Sequence, residues 1–120
     1  ALPRLEKKYG VAACEKNSIP GNYQWDYPNG WACLQFIAAE GLLKYGYTED
    51  ARRIAEKYIT VTDGIFAETG NLWEKYNVID GTINTRNEYK FPPMLGWTAG
   101  TYLYMKRLLG TAEPQRAMHP

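Results

Sequence analysis

Two stretches of the chain are apolar on nearly every side of a helix, and this pattern limits how the chain can fold. The first runs from Trp31 to Leu43, and the second from about Leu95 to Leu109. A helix without a polar face is stable only when neighbouring elements cover it all round. We therefore expect both segments to be inner helices of a layered structure.

A third helix, between these two, is predicted to have one polar face. It begins near Thr48, and Glu49 and Asp50 follow in the first turn, where acidic side chains are favoured. Its apolar positions recur with helical spacing: Ala51, Ile54, Ala55, Tyr58, Ile59, Thr62, Ile65 and Phe66. One half-exposed helix cannot cover two inner ones, so we expect a piece of a larger α/α assembly. The alternative is a small self-contained or dimeric bundle with exposed apolar faces.

The remaining boundaries complete an all-α prediction. A short charged helix is expected from Leu2 to Tyr9, and residues 111–120 are expected to form a tail. The first inner helix is predicted to begin near Pro28 or Asn29 and to end at a left-handed glycine, Gly46.

Residues 70–94 are predicted to form a long loop rich in aromatic and charged side chains, and such loops are usually functional in compact domains. Glu40, within the apolar helix, is expected to pair with a neighbouring helix or with chain that is missing here.

Composition argues against several classes of function. The 14 basic and 13 acidic side chains give a net charge of +1, which argues against a nucleic-acid partner or an anionic membrane surface. No apolar run is long enough to cross a bilayer. Two separated cysteines, Cys14 and Cys33, and one histidine, His119 in the tail, predict neither a metal site nor a disulfide framework. We expect no cofactor, and no leader sequence indicates the compartment.

The segment QWDYPNGW, at residues 24–31, indicates a sugar-binding surface. A plain turn needs only Pro, Asn and Gly, whereas tryptophan adds a wide apolar face and one N–H donor. A sugar ring is apolar on its faces and hydroxylated at its rim, so we expect sugar contacts from Gln24, Trp25, Asp26, Asn29 and Trp31. Core packing for the tryptophans and a helix cap for Asp26 would also account for these residues.

Three segments taken in order resemble the trehalase family of inverting glycoside hydrolases. They are QWDYPNGW at residues 24–31, EKYNV at residues 74–78, and Glu88-Tyr89 followed by Gly96-Trp97-Thr98. The resemblance spans residues 11–109. It implies the last helical hairpins of an (α/α)6 toroid barrel, with a long active-site loop between outer and inner helices. Residues 1–110 would then be the C-terminal portion of a catalytic domain.

The resemblance also implies an activity and a set of roles. Family members hydrolyse α,α-trehalose to glucose, and the glutamate of the EKY segment, Glu74 here, is the general base. An upstream aspartate is the general acid, which has no counterpart in this chain and would come from the remainder of the barrel. Glu88 would contact sugar hydroxyls, and Trp97 would line the same pocket. Without a catalytic role, Glu74 would be a solvated carboxylate, and Glu88 would form a salt bridge to Arg86 or Lys90.

The chain departs from the family pattern at the loop that closes over the sugar. The glycine run before Glu88 is replaced by TINTRN, at residues 82–87, and Cys33, Leu95 and Ala99 replace a proline, an aromatic residue and an asparagine. A different glucoside, or a related α/α-barrel glucosidase or mannosidase, therefore stays open. The sequence is also compatible with a non-catalytic sugar-binding or interaction module, and with a plain helical scaffold.

Overall fold

The computed structural model describes residues 2–88, 90, 93 and 96–111, with Thr111 described only as part of its helix. In chain order the described elements are α1 (Leu2–Leu5), β1 (Glu6–Lys7), β2 (Gly10–Val11), β3 (Asn29–Trp31), α2 (Ala32–Lys44), α3 (Thr48–Thr69), β4 (Lys75–Asn77) and α4 (Gly96–Thr111). Helices dominate, as predicted, and the short strands are additional. The rest of the predicted tail, with His119, lies outside the described residues.

Helix α3 packs against both α2 and α4, and its predicted apolar face forms much of the core. The buried residues of α3 are Ala51, Ile54, Ala55, Tyr58, Val61, Thr62 and Ile65. The Tyr58 hydroxyl donates a hydrogen bond of 3.2 Å to the backbone oxygen of Thr98, which links α3 to α4. Phe66, predicted to face the core, is 52% exposed because it lies near the end of α3, beyond the last buried residue.

The two apolar helices are only partly covered within this chain. On α2, Ile37 is 61% exposed, and on α4, Leu103 is 68% exposed. Phe36 of α2 contacts the edge of the Tyr104 ring, with 4.7 Å between ring centroids. Both helices therefore keep exposed apolar faces in this chain, as expected if further helices of a layered assembly cover them.

Helix α2 begins at Ala32, later than predicted, because residues 29–31 are extended. Its N-cap residue is Trp31, and no side chain caps the helix. The predicted cap by Asp26 is therefore wrong. The predicted end is confirmed, since α2 finishes at Lys44 and Gly46 has a left-handed backbone with φ of +84°.

Strands β3 and β4 pair in antiparallel register and join two segments that are far apart in the sequence. Asn29 lies opposite Asn77, and Trp31 lies opposite Lys75. Gly30 is required for this approach, since a Cβ atom there would lie 2.4 Å from the Cγ1 atom of Val78. The pairing places QWDYPNGW directly beside EKYNV.

The N-terminal segment also differs from the prediction. Helix α1 ends at Leu5, and β1 and β2 then form a small antiparallel hairpin. The side-chain amide of Gln35 binds both backbone groups of Val11: it accepts from the N–H and donates to the carbonyl, each at 2.8 Å. The carboxamide thus makes the two hydrogen bonds that the backbone of a neighbouring strand would make, and it attaches the hairpin to α2.

Glu40 pairs with a neighbouring helix, as predicted. Its carboxylate accepts a hydrogen bond from the Tyr104 hydroxyl of α4 and lies 3.8 Å from the Lys44 ammonium. Burial, followed by this bond to the carboxylate, raises the pKa of Tyr104 to about 12. The acidic group in the apolar helix therefore makes an interhelical contact, although its side chain remains 38% exposed.

Glu6 links the hairpin to α3 through two cations. Its carboxylate accepts bonds from the Arg53 side chain at 2.7 and 2.8 Å and from the Lys57 ammonium at 2.6 Å. The Arg53 bonds, followed by those of Lys57, lower the pKa of Glu6 from 4.5 to about 2. The folded state therefore favours the ionised form of this carboxyl.

We expect Glu6→Gln to lower the free energy of unfolding at pH 7 by about 1–2 kcal/mol. Because the folded-state pKa is depressed, this stabilisation is present above the unfolded pKa of about 4.5. It is lost as the pH falls toward about 2. Urea denaturation at a series of pH values between 7 and 3 measures the effect. Glu15→Gln is the control, because the Arg4–Glu15 pair is well exposed and should contribute little. Equal losses from both variants would contradict this account.

Candidate active site

Glu74 lies inside the protein, immediately before β4. It is 5% exposed, and its Oε1 atom lies 2.8 Å from the ammonium of Lys75, which is fully buried. Since Lys75 is the register partner of Trp31, the carboxylate sits beside the QWDYPNGW segment. The alternative of a solvated loop acid is wrong for Glu74.

Three tryptophans gather next to this ion pair. The rings of Trp25 and Trp31 are stacked, with centroids 3.7 Å apart and 6° between their planes. Trp97 meets Trp31 edge-on at 6.0 Å, and the Lys75 ammonium lies 4.9 Å from the centroid of the Trp31 ring. Trp31 itself is 2% exposed, whereas Trp25 is 48% and Trp97 is 39% exposed. The apolar ring surface that a ligand can reach therefore belongs to Trp25 and Trp97, with Trp31 beneath them.

The peptide groups of Gln24 are fixed by three side chains. Its carbonyl accepts bonds of 2.9 Å from both the Trp31 indole N–H and the Asn29 amide, and its N–H donates to Glu88 at 3.0 Å. Glu88 thus reaches the tryptophan segment across 64 positions of sequence. Among the described residues it forms no ion pair with Arg86 or Lys90, so the salt-bridge alternative is not observed.

The side-chain oxygen of Gln24 differs from its backbone groups in its hydrogen bonding. It is buried and has no hydrogen-bond partner among the described residues. A buried acceptor without a donor costs about 1–3 kcal/mol. The position favours a ligand that brings a hydroxyl or amine donor to it.

Asp26 lies behind the surface, at 7% exposure. One carboxylate oxygen accepts from the Cys14 thiol at 2.7 Å, the Asn17 amide at 2.9 Å and the Tyr27 N–H at 2.8 Å. The other lies 3.3 Å from the Arg86 guanidinium. These contacts, with the Cys14 bond the largest cause, hold the pKa of Asp26 below its usual range.

Asn29 is fully buried, and its carboxamide is used on both sides. It donates to the carbonyls of Gln24 at 2.9 Å and Arg86 at 2.6 Å, and it accepts from the Arg86 N–H at 2.9 Å. Sequence reasoning expected Asp26 and Asn29 to contact a sugar, but the structure places both where they hold loops together. Their partners Cys14, Asn17 and Arg86 were not predicted as site residues. Cys14 and Asn17 lie 12 and 9 positions from Asp26 in a connector without a recognisable pattern, and Arg86 lies 60 positions away.

The described part of the chain offers carboxylates, amides and aromatic faces rather than a metal centre. Over those residues no group of three or more His, Cys, Asp or Glu side chains is arranged to hold a metal ion. Nor is any of the described helices both long and apolar enough to cross a membrane. The arrangement suits proton transfer by a buried carboxylate beside a hydroxylated ligand.

Comparisons with known proteins identify the family of the chain. The model of the Trehalase family matches residues 2–110. The periplasmic trehalase of Xanthomonas campestris pv. campestris strain B100 is 41% identical over 106 residues, which cover 88% of this chain and 18% of that protein. The periplasmic trehalase of Salmonella paratyphi B is 39% identical over 97 residues, covering 80% of this chain and 17% of that protein.

A solved structure gives the same result at the level of fold. Neutral trehalase Nth1 from Saccharomyces cerevisiae superposes with a TM-score of 0.73 at 33% identity, covering 91% of this chain and 19% of that one. The chain thus spans about a fifth of the length of the relatives it matches. With the helices, the paired QWDYPNGW and EKYNV segments and these matches in agreement, the chain belongs to the trehalase family and forms part of an (α/α)6 barrel.

Proposed function

We propose that this chain supplies the general base and part of the sugar site of a trehalase-like inverting glycoside hydrolase. The observation that carries the proposal is the position of Glu74. It is a buried carboxylate, held by Lys75, beside a cluster of tryptophans that leaves two ring surfaces exposed. A carboxylate in such surroundings is suited to take a proton from water at an anomeric carbon.

The reaction divides between two carboxyl groups. Glu74 removes a proton from water while the water oxygen bonds to the anomeric carbon. A carboxylic acid on the opposite face gives its proton to the glycosidic oxygen as the bond to that carbon breaks. In inverting enzymes these groups stand roughly 6.5–9.5 Å apart, which leaves room for the water. We propose that the acid comes from outside residues 1–110, in the remainder of the barrel.

The proposed sugar contacts come from the exposed part of the cluster. Trp25 and Trp97 offer ring faces to the apolar side of a glucose ring. The Gln24 side-chain oxygen accepts a hydroxyl donor, and the exposed carboxylate of Glu88 accepts another. In this proposal Trp31 and Asn29 serve the same site from beneath, by fixing Trp25 and the Gln24 peptide, and Asp26 serves it by holding Arg86.

The stereochemistry of the products tests this function. Early in the hydrolysis of α,α-trehalose by the complete enzyme, proton NMR should show equal amounts of α- and β-glucose. The attacked ring is inverted to β, and the departing ring keeps its α configuration. Early formation of α-glucose alone would contradict inversion. Cleavage of another α-glucoside but not of trehalose would assign the site to a related substrate.

A second candidate is a carbohydrate-binding module without catalysis, and the exposed tryptophans favour it as a specific observation. Titration of the 120-residue chain with trehalose, followed by tryptophan fluorescence, detects such binding. Saturable binding by a complete protein that releases no glucose would favour this candidate over the first.

Trp25→Ala should weaken trehalose binding about 5–30-fold, equivalent to about 1–2 kcal/mol of lost apolar contact. Trp25 is expected to matter because its ring remains 48% exposed although it stacks on Trp31. Isothermal titration calorimetry measures the dissociation constant of trehalose for the variant and for wild type. Tyr45→Ala is the matched control: Tyr45 is 83% exposed but lies at the opposite end of α2 from Trp31. A similar loss in both variants would remove Trp25 from the sugar site.

A further inference from the structure

The loop formed by residues 84–88 is attached to residues 22–29 at four points, one of which is the bond from the Gln24 N–H to Glu88 described above. The Asn29 carboxamide binds both backbone groups of Arg86, at 2.6 and 2.9 Å. The Asn22 carboxamide binds both backbone groups of Asn87, at 2.7 and 3.3 Å. The Arg86 guanidinium adds an ion pair of 3.3 Å with Asp26. The carboxamides of Asn22 and Asn29 therefore bind the loop backbone through one donor and one acceptor each, as the backbone of a neighbouring strand would.

The anchor for the Arg86 side chain is itself rigid. Asp26 receives three further hydrogen bonds, from Cys14, Asn17 and the Tyr27 backbone, on the oxygen that Arg86 does not contact. Its side chain is 10% exposed, and that of Arg86 is 33% exposed. A pair that is largely withdrawn from water, with one partner already fixed, holds its geometry better than a surface pair between two mobile side chains.

Arg86 lies in the stretch where this chain departs from the glycine run that the family resemblance implies. Residues 82–87 read TINTRN in place of a glycine run. A glycine has no side chain to reach Asp26, and it leaves the unfolded loop more conformational freedom to lose. None of the described residues other than glycine has a positive φ angle, so the loop accepts these side chains with ordinary backbone angles.

We propose that Arg86 is a positioning residue that holds the 84–88 loop closed against residues 22–29. This inference deepens the proposed function and rests on it for the identity of the ligand, an α-linked glucoside. With the loop attached, Glu88 and the Gln24 peptide form one preformed wall, joined by the 3.0 Å bond between them. A preformed wall lowers the ordering cost of binding and favours glucosides that match its shape.

The effect should appear in binding rather than in the chemical step. Glu74 and its partner Lys75 lie at β4, which is fixed by its own pairing with β3. Release of the 84–88 loop therefore leaves the proposed base in place. It removes the preordered contact at Glu88, so KM should rise while kcat changes little.

Arg86→Met tests the role, because methionine keeps an unbranched stem and ordinary backbone preferences but carries no charge. Two readouts are taken. Backbone amide exchange at residues 24, 86 and 87 should become about tenfold faster as the loop opens more often. In the complete enzyme, KM for trehalose should rise about tenfold with kcat within about threefold of wild type. Arg86→Lys should restore most of both values, since it returns a cation to Asp26.

Lys90→Met is the matched control, since Lys90 is an exposed cation two residues beyond Glu88. It should change neither readout. Unchanged exchange and unchanged KM in Arg86→Met would overturn the inference, as would equal effects from Lys90→Met. Faster exchange in an Arg86→Met protein whose parent has no glycosidase activity would support the loop attachment and count against the proposed function alone. Asn22→Ala gives an independent check, because it should also speed exchange at residue 87.

Discussion

Glu74→Gln is expected to lower kcat for trehalose hydrolysis by about 10³-fold, with KM close to the wild-type value. Glutamine has nearly the same shape and can still bond to Lys75, but it cannot take a proton from water. The substitution also removes the negative charge that pairs with the buried Lys75 ammonium at 2.8 Å, so we expect a lower free energy of unfolding, and both constants are measured under conditions where the variant is folded. Glucose release from trehalose by the complete enzyme, measured with a coupled assay, gives both constants.

Glu68→Gln is the control for this variant. Glu68 is an exposed glutamate in the last turn of α3, and its substitution should leave both constants unchanged. If Glu74→Gln retained more than about a tenth of wild-type kcat, Glu74 could not be the sole general base. A rise in KM without a fall in kcat would instead assign Glu74 to sugar binding.

Lys75→Met is expected to destabilise the protein by about 3 kcal/mol. Lys75 is fully buried, and its ammonium pairs with Glu74 and lies 4.9 Å from the Trp31 ring centroid. Methionine fits the stem but removes the positive charge that offsets the buried carboxylate. The midpoint of urea denaturation, with the slope of the transition, measures the change in the free energy of unfolding.

The double variant Glu74→Gln/Lys75→Met separates charge from packing. With both charges removed, the loss should fall to about 1–2 kcal/mol, because no carboxylate is left buried without its ammonium. A double variant as unstable as Lys75→Met would show that the stem of Lys75, not its charge, stabilises the site. That result would count against the charge of Lys75 as what stabilises the Glu74 carboxylate.

The helical part of the fold was predictable because it rests on local patterns. The period of 3.6 residues in α3 identified its buried face, from Ala51 to Ile65. The positive φ of Gly46 followed from its place after the last apolar turn of α2. The uncovered faces of α2 and α4, with Ile37 and Leu103 exposed, followed from helices that have no polar side.

The short strands were not predictable in the same way. Each of β3 and β4 has three residues, too few for an alternating pattern to be recognised. Their pairing is between segments more than 40 positions apart. Because residues 29–31 are extended, α2 begins at Ala32, beyond Pro28. Asp26 is therefore too far from the start of the helix to act as the cap that the local sequence pattern had suggested.

The proximity of the two motifs could be predicted from the sequence, whereas the contacts that support the proposed site could not. The motifs indicated that Glu74 and Trp31 would be neighbours, and the strand register agrees with this. Burial of Lys75 was not predictable, because a lysine beside a loop glutamate is usually solvated. The Arg86–Asp26 pair depends on two loops meeting across 60 positions, which one sequence does not reveal.

Chemical rescue tests the central claim most directly. The complete enzyme carrying Glu74→Ala is supplied with α-glucosyl fluoride, whose leaving group needs little help from an acid, and with azide. Azide needs no deprotonation and can occupy the space left by the carboxylate, so we expect it to restore turnover and to yield β-glucosyl azide. Near-wild-type hydrolysis by Glu74→Ala without azide, or an azide product of α configuration, would contradict Glu74 as the base of an inverting reaction.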